Sequence, residues 1–208
     1  MKHFGIFIEP TGSLADAIRA LKAEVERQLP GQKFCSHPPH STLIYGQYQE
    51  PKLWRDQLAA ALAALSPFRI QTTEFGFFYD DALAGGGHTV VFKAQPVPEV
   101  FALQRACGDV LKHWRNPGEP ARGGLLEREP FCSSFAEYGF PFVGPHWIPH
   151  FTVASLKVAK DAPLLRVITS GRAQHEFLLD RVSVWEIDGD SHTKLFEVPL
   201  GGTQSKPN

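Results

Sequence analysis

Pro38-Pro39-His40-Ser41-Thr42-Leu43-Ile44-Tyr45-Gly46 reads as a short strand entered through two prolines and left through a glycine, and Ile148-Pro149-His150-Phe151-Thr152-Val153-Ala154-Ser155-Leu156 reads as a strand entered through one proline. Proline keeps the preceding backbone extended, so neither stretch begins as a helix. Each contains His-x-Thr-x with an apolar fourth residue (Leu43, Val153). Side chains alternate along a strand, so His40 and Thr42 share a face, roughly 7 Å apart, and Ser41 and Leu43 take the other. The same holds for His150 and Thr152 against Phe151 and Val153. One copy is an ordinary strand. Two copies predict a pair of imidazoles and a pair of hydroxyls facing one another across a cleft.

Working outward, Phe4–Ile8 predicts a strand closed by Pro10. Leu14–Leu29 carries apolar residues at helical spacing, with Ser13 as the expected N-cap and Asp16 in the first turn. Pro51–Leu65 predicts a helix with proline in its first turn, and Phe68–Tyr79 a strand. After Gly85-Gly86-Gly87 come a strand (His88–Ala94), a helix (Pro98–Trp114), the second motif strand and a short helix (Asp161–Thr169). A long strand over His175–Ile187 then turns back on Thr193–Pro199.

Strand, helix, motif strand, helix, strand therefore occurs twice. Thirty-six residues separate Phe4 from His40 and 61 separate Thr89 from His150; the surplus of 25 falls in Arg115–Pro145. We read that segment as an inserted loop over the cleft, packed down by Phe131, Phe135, Tyr138, Phe140 and Phe142. The expected architecture is an α+β, duplicated two-lobe fold. Antiparallel sheets line a central cleft and helices lie outside. One domain covers 1–200, with lobe-like halves at about 4–84 and 88–200, the insert at 115–145 and a flexible tail at 201–208.

The 208 residues are 43% hydrophobic, enough for a sizeable core. The formal net charge of −1 argues against a protein that coats long duplex nucleic acid, which needs a basic surface, and leaves a small anionic substrate as the expectation. Cys35, Cys107 and Cys132 are odd in number with no CxxC spacing, as expected of free thiols in a reducing compartment. The N-terminal apolar run is too short for a signal peptide and no stretch is long enough to cross a membrane, so a cytoplasmic monomer with no membrane partner is expected.

A free imidazole titrates near 6.5, so one histidine can take a proton from water while the other gives one to a leaving oxygen. Threonine hydroxyls can donate to the non-bridging phosphate oxygens and orient phosphorus for in-line attack. A phosphodiester carries one negative charge, so His40, His150, Thr42 and Thr152 suffice without a cofactor or metal ion. On these residues and this order of elements the chain resembles the two-histidine phosphoesterase superfamily. That group includes 2′,3′-cyclic nucleotide phosphodiesterases and 2′-5′ RNA ligase-like proteins. The resemblance implies catalysis by His40 and His150, with phosphate held by Thr42 and Thr152. The second-motif histidine (His150) is often drawn as activating water and the first (His40) as the acid. It also implies a nucleotide or RNA end bearing a cyclic phosphate as substrate, and a 2′ monoester product. Ligase-like members often carry an arginine shortly after the second motif; here the residues are Ala154-Ser155-Leu156-Lys157.

The same residues admit rival readings. Cys35, His37 and His40, and separately His146 and His150, offer metal-ligand types. In an extended segment residues four apart are roughly 13 Å from each other, and His37 and His40 have opposite parity. Of the aromatic residues Tyr45, Phe78, Phe131, Trp147 and Phe151, the two flanking the motifs, Tyr45 and Trp147, are the candidates for stacking a base. Arg115, Arg122 and Arg128 in the insert are candidates for a terminal phosphate. The triple glycine lacks a following Lys-Ser/Thr and precedes a strand, so it is no phosphate loop. His88, His113, His175 and His192 carry no motif and read as incidental. Joining or cleavage of 2′-5′ linkages, and nucleotide binding without turnover, are the remaining alternatives.

Overall fold

Two four-stranded antiparallel sheets are built from β1 (His3–Ile8), β2 (Ser41–Gly46), β3 (Phe68–Asp81), β4 (Gly87–Ala94), β5 (His150–Leu156), β6 (Glu176–Leu179), β7 (Arg181–Asp188) and β8 (Ser191–Pro199). The computed structural model describes residues 3–116, 124, 126–189 and 191–201. The first sheet runs β2-β1-β7-β8 and the second β5-β4-β3-β6. Each motif strand is therefore the edge of its own sheet, and the two edges, β2 and β5, are in contact with each other.

The helices are α1 (Gly12–Gln28), α2 (Arg55–Ala63), α3 (Pro98–Leu111), α4 (Phe131–Tyr138) and α5 (Pro163–Thr169). The doubled order read from the sequence is present, but the sheets do not divide where the halves do. The strand expected to close the first half, β3, pairs with β4, and the C-terminal hairpin β7-β8 returns to β1. The boundary at 84–88 is thus a turn within the second sheet. Pairing is long-range, and a linear order of elements leaves it open. The helices cross over as well: α1 packs on β5 and β6, and α3 packs on β2.

The long strand expected over His175–Ile187 is broken at Asp180. Residues before it pair with β3 and residues after it with β1, so the chain passes from one sheet to the other there. Within α1 the buried stripe runs Leu14, Ile18, Lys22, Val25, at the spacing of one helical face. Lysine is the anomaly on that stripe, and its amine finds the Phe34 carbonyl. The N-cap is Thr11, one position before the helix; the Ser13 hydroxyl meets His175 Nδ1 instead, at 3.0 Å. The helix expected from Pro51 opens with a 3-10 turn before α2.

The insert holds a helix, α4, which the aromatic-rich sequence did not suggest. It packs on α3, with Tyr138, Phe140 and Val143 buried. The Tyr48 hydroxyl donates to the Tyr138 carbonyl at 2.7 Å, and Gly139 O lies beside Gly46. This docks the described part of the insert at the Gly46 end of β2, about 20 Å of strand from the His40 end, instead of over the motif histidines. Arg122 and the tail beyond 201 lie outside the described residues. Among the described residues no helix is long and apolar enough to cross a membrane. Cys107 is buried, and Cys35 and Cys132 are half-buried free thiols.

Candidate active site

Both motif strands carry a β-bulge at the fourth motif residue. On β2 the register passes from Ile6↔Ile44 to Phe7↔Thr42, leaving Leu43 as the extra residue. On β5 it passes from Val90↔Ala154 to Val91↔Thr152, leaving Val153. A bulge re-aims the side chains that follow it. Leu43 and Ile44, and likewise Val153 and Ala154, are all fully buried, which explains why two apolar residues follow each threonine. The same bulge returns Tyr45 and Ser155 to the face of Thr42 and Thr152, because Tyr45 pairs with Gly5, two residues from Phe7, and Ser155 with Thr89, two from Val91. Simple alternation would have turned both away.

A bulge also takes a residue out of the ladder. Behind Leu43, the buried Gln104 of α3 makes up the loss. Its Nε2 donates to Leu43 O at 3.2 Å and to Phe142 O at 2.6 Å, and its Oε1 accepts from Gly144 N at 3.1 Å. One amide therefore ties the first motif to the insert.

The two imidazoles are presented alike. His40 Nδ1–H donates to the carbonyl of Pro38 at 2.7 Å, and His150 Nδ1–H donates to that of Ile148 at 2.7 Å. A carbonyl can only accept, so each bond places the neutral ring's proton on Nδ1 and leaves a lone pair on Nε2. Pro39 and Pro149 keep the backbone extended between each carbonyl and its histidine. Each ring rests on a phenylalanine: Phe7 lies 4.6 Å from His40 between centroids, and Phe78 meets His150 edge-on at 5.0 Å. Thr42 and Thr152 are half-buried, as are both histidines, while Ser41, Phe151, Leu43 and Val153 are buried on the other side, as alternation requires.

Packing disfavours the charged form of both rings. Burial pushes His40 down to about 3, and neighbouring His37, Lys22 and His192 push the same way; the Pro38 carbonyl opposes them. Burial also lowers His150, opposed by the Ile148 carbonyl and by the Asp81 carboxylate. Asp81 is itself held by Thr89 Oγ1 at 2.6 Å and by Leu83 N at 3.0 Å.

Several sequence-level candidates find definite places. Tyr45 is half-buried on the motif face and stacks on His3 with ring centroids 5.3 Å apart. Trp147 does not join it. It is 4% exposed and packs edge-on against Phe101, because the extended Trp147–Pro149 segment turns it into the core before His150 emerges. Phe151 is buried, and Phe131 packs on Phe142 and His146 within the insert. Arg115 donates to Ala136 O and lies over the Phe135 ring, so it pins the insert, and Arg128 is exposed.

His192, which carries no motif, lies at the site. Its ring is 4.1 Å from that of His37 and 6.5 Å from that of His40, and His37 lies 6.4 Å from His40. Strand β8 brings it across more than 150 residues of sequence, a separation no local pattern reveals. Among the described residues no group of three or more His, Cys, Asp or Glu side chains is placed to hold a metal ion. Ser155 stands three residues past Thr152, where its Oγ is buried without a hydrogen-bond partner among the described residues, and a Cβ on Gly87 would sit 2.5 Å from it. A surface depression at the β3–β6 end is lined by Gln71, Thr72, Arg172, His175 and Glu176 and includes no motif residue.

Comparison with solved structures matches this frame over 97% of the chain. TT0787 of Thermus thermophilus superposes with a TM-score of 0.61 at 18% identity, covering 100% of that chain. The E. coli LigT structure in apo form gives 0.56 at 13% identity over 98% of its chain, and LigT complexed with 3′-AMP gives 0.53 at 13% over 99%. At these identities the likeness is one of fold. No curated protein sequence matches the chain. The model of the 2′-5′ RNA ligase superfamily matches residues 9–191, which takes in both motifs, both bulged edge strands and the insert between them, and so the chain belongs to that superfamily of two-histidine phosphoesterases.

Proposed function

We propose that this protein is a metal-independent phosphodiesterase that opens 2′,3′-cyclic phosphates on nucleotides or RNA ends. The observation that carries the reading is the matched presentation of the two imidazoles. Each has its Nδ1 proton committed to a carbonyl two residues upstream, and each leaves Nε2 for proton transfer on the face that also bears a threonine. Water attacks phosphorus in line, one Nε2 takes its proton, and the other, protonated, delivers one to the departing ribose oxygen. Each transfer contributes about 10²–10⁴-fold in rate. Thr42 and Thr152 hold the non-bridging oxygens.

Both rings are kept neutral in the free protein, so the acid must be charged as the substrate arrives. An anionic phosphodiester beside an imidazole favours its protonated form. Substrate binding and loading of the acid are therefore coupled. LigT has been solved with 3′-AMP, which fits a nucleotide-sized ligand in this fold. Joining 2′-5′ ends would use the same groups in reverse, and the family's description supports it as a second reading. Against it stand a net charge of −1 and Ser155 in the region where ligase-like members often carry arginine. The protein is further proposed to act as a cytoplasmic monomer on small substrates, without a membrane or long-duplex partner.

The test is hydrolysis of 2′,3′-cyclic nucleotides in excess EDTA by the wild type and by His40→Ala and His150→Ala. Full activity in EDTA with loss in both variants is expected. Loss of wild-type activity in EDTA would replace this reading with a metal-dependent one. Tight binding without turnover would leave a nucleotide-binding module.

A further inference from the structure

Away from the motif face, one serine and one histidine meet in a bond that phosphodiester cleavage does not use. Ser13 Oγ lies 3.0 Å from His175 Nδ1, and His175 Nε2 lies 3.0 Å from the carbonyl of Arg172. That carbonyl can only accept, so the neutral ring carries its proton on Nε2 and offers the Nδ1 lone pair to the Ser13 hydroxyl. The histidine is held in place on every side. Its amide donates to Thr72 Oγ1 at 3.0 Å, the Thr72 amide donates to its carbonyl at 2.9 Å, and Phe92 meets its ring edge-on at 5.7 Å. A hydroxyl bonded to a base that a third group orients is the arrangement that activates a nucleophile.

The placement of the pair suits attack on a ligand from solvent. Ser13 is exposed, whereas His175 is buried. Ser13 stands where the chain turns from β1 into α1, directly after Gly12 at φ 57°, and nothing lies within 4 Å of where a Cβ on Gly12 would stand. That backbone region favours glycine, and the missing side chain leaves one flank of the hydroxyl open. Serine hydrolases with a nucleophile elbow also present the hydroxyl at a sharp strand-to-helix turn, with the amide of the next residue as an oxyanion donor. Here the next residue is Leu14. The first amides of a helix have no partner within it, and the Thr11 side chain makes no capping bond at this end. His175 also lines a depression of about 390 Å³ together with Gln71, Thr73, Arg172 and Glu176, so space with polar walls adjoins the base.

We propose that Ser13 and His175 form a second hydrolytic site, distinct from the two motifs, that takes small polar carboxylic esters, with Ser13 as nucleophile and His175 as its base. This does not depend on the two-histidine reading. In the first step Ser13 Oγ bonds to the ester carbonyl carbon as its proton passes to His175 Nδ1. The carbonyl π pair moves onto oxygen, where the Leu14 amide donates. The pair then returns, the bond from carbon to the alcohol oxygen breaks, and that oxygen leaves with the proton from Nδ1. Water attacks the acyl-serine in the same way, giving its proton to Nδ1. Ser13 takes that proton back as the carboxylic acid departs.

p-Nitrophenyl acetate tests it. Wild type is expected to release p-nitrophenolate with acetyl transfer to Ser13, read by peptide mass spectrometry. Ser13→Ala changes an exposed side chain and is expected to lose about 10²–10⁴-fold in rate, and His175→Gln to lose as much. Wild-type turnover no faster than that of Ser13→Ala, or acetyl groups confined to lysine and cysteine side chains, overturns the site. A folded His175→Gln at the wild-type rate overturns the base. The wild-type pH profile decides the same point should His175→Gln fail to fold. The rate should fall at acidic pH as an imidazole takes its proton and level off above. A rate that keeps rising in proportion to hydroxide up to about pH 9 overturns His175 as the base.

Discussion

Acidification should cost this fold stability through His40, and the structure sets the size of the effect. In the unfolded chain the imidazole has its ordinary value near 6.5. In the folded protein burial and neighbouring His37, Lys22 and His192 lower it to about 3. Between those values the unfolded chain binds a proton that the folded protein refuses, so stability rises with pH across the window. The contribution is complete above 6.5 and is lost as pH falls toward 3. A pH of 5 is about one and a half units below the unfolded ring's value, which at about 1.4 kcal/mol per unit removes about 2 kcal/mol. His150 is lowered in the same direction, so the wild type loses at least this much. The assay is urea unfolding followed by tryptophan fluorescence at pH 8 and pH 5, for wild type and His40→Asn. Taking the difference between the two proteins isolates His40 from other titrating groups. The stability advantage of wild type over the variant should shrink by about 2 kcal/mol between pH 8 and pH 5. A constant or growing advantage would refute the reasoning.

Two further outcomes follow from the geometry. Gln104→Met leaves Leu43 O, Phe142 O and Gly144 N without their side-chain partner at a buried position, so urea unfolding should show a loss of about 3 kcal/mol or more, at about 1–3 kcal/mol per buried group. Tyr45→Ala, on the motif face, should raise KM for a cyclic nucleotide by about 5- to 100-fold, the equivalent of about 1–3 kcal/mol of base stacking; Trp147→Phe, in the core, should lower the unfolding midpoint and leave KM unchanged.

The periodicities of the sequence were sufficient for the order of strands and helices, because each is a local property of apolar spacing. Sheet membership was not, since β3 and the β7-β8 hairpin choose partners far along the chain. The crossing at Asp180 is a one-residue interruption in an otherwise strand-like run, and period-two patterning passes over it. In the site, His40, Thr42, His150 and Thr152 stood out because they are repeated. The two bulges were hidden in the apolar pairs Leu43-Ile44 and Val153-Ala154, which a sequence reader takes for ordinary strand interior. They decide that Tyr45 faces the site. Trp147 flanks a motif as closely as Tyr45 does, yet proximity in sequence did not fix its direction. His192 and Asp81 enter from β8 and β3 with no motif of their own, His192 with its ring 6.5 Å from that of His40 and Asp81 held by Thr89.

The claim that the two imidazoles act as one metal-free acid–base unit is tested most directly by a double-mutant cycle on 2′,3′-cyclic AMP in excess EDTA, using His40→Ala, His150→Ala and the double variant. Groups that serve a single transition state are grossly non-additive when removed. Each single variant should lose about 10²–10⁴-fold in kcat, and the double variant should be no slower than the worse single variant by more than about tenfold. Losses that multiply in the double variant, or a single variant with wild-type activity, would contradict the account.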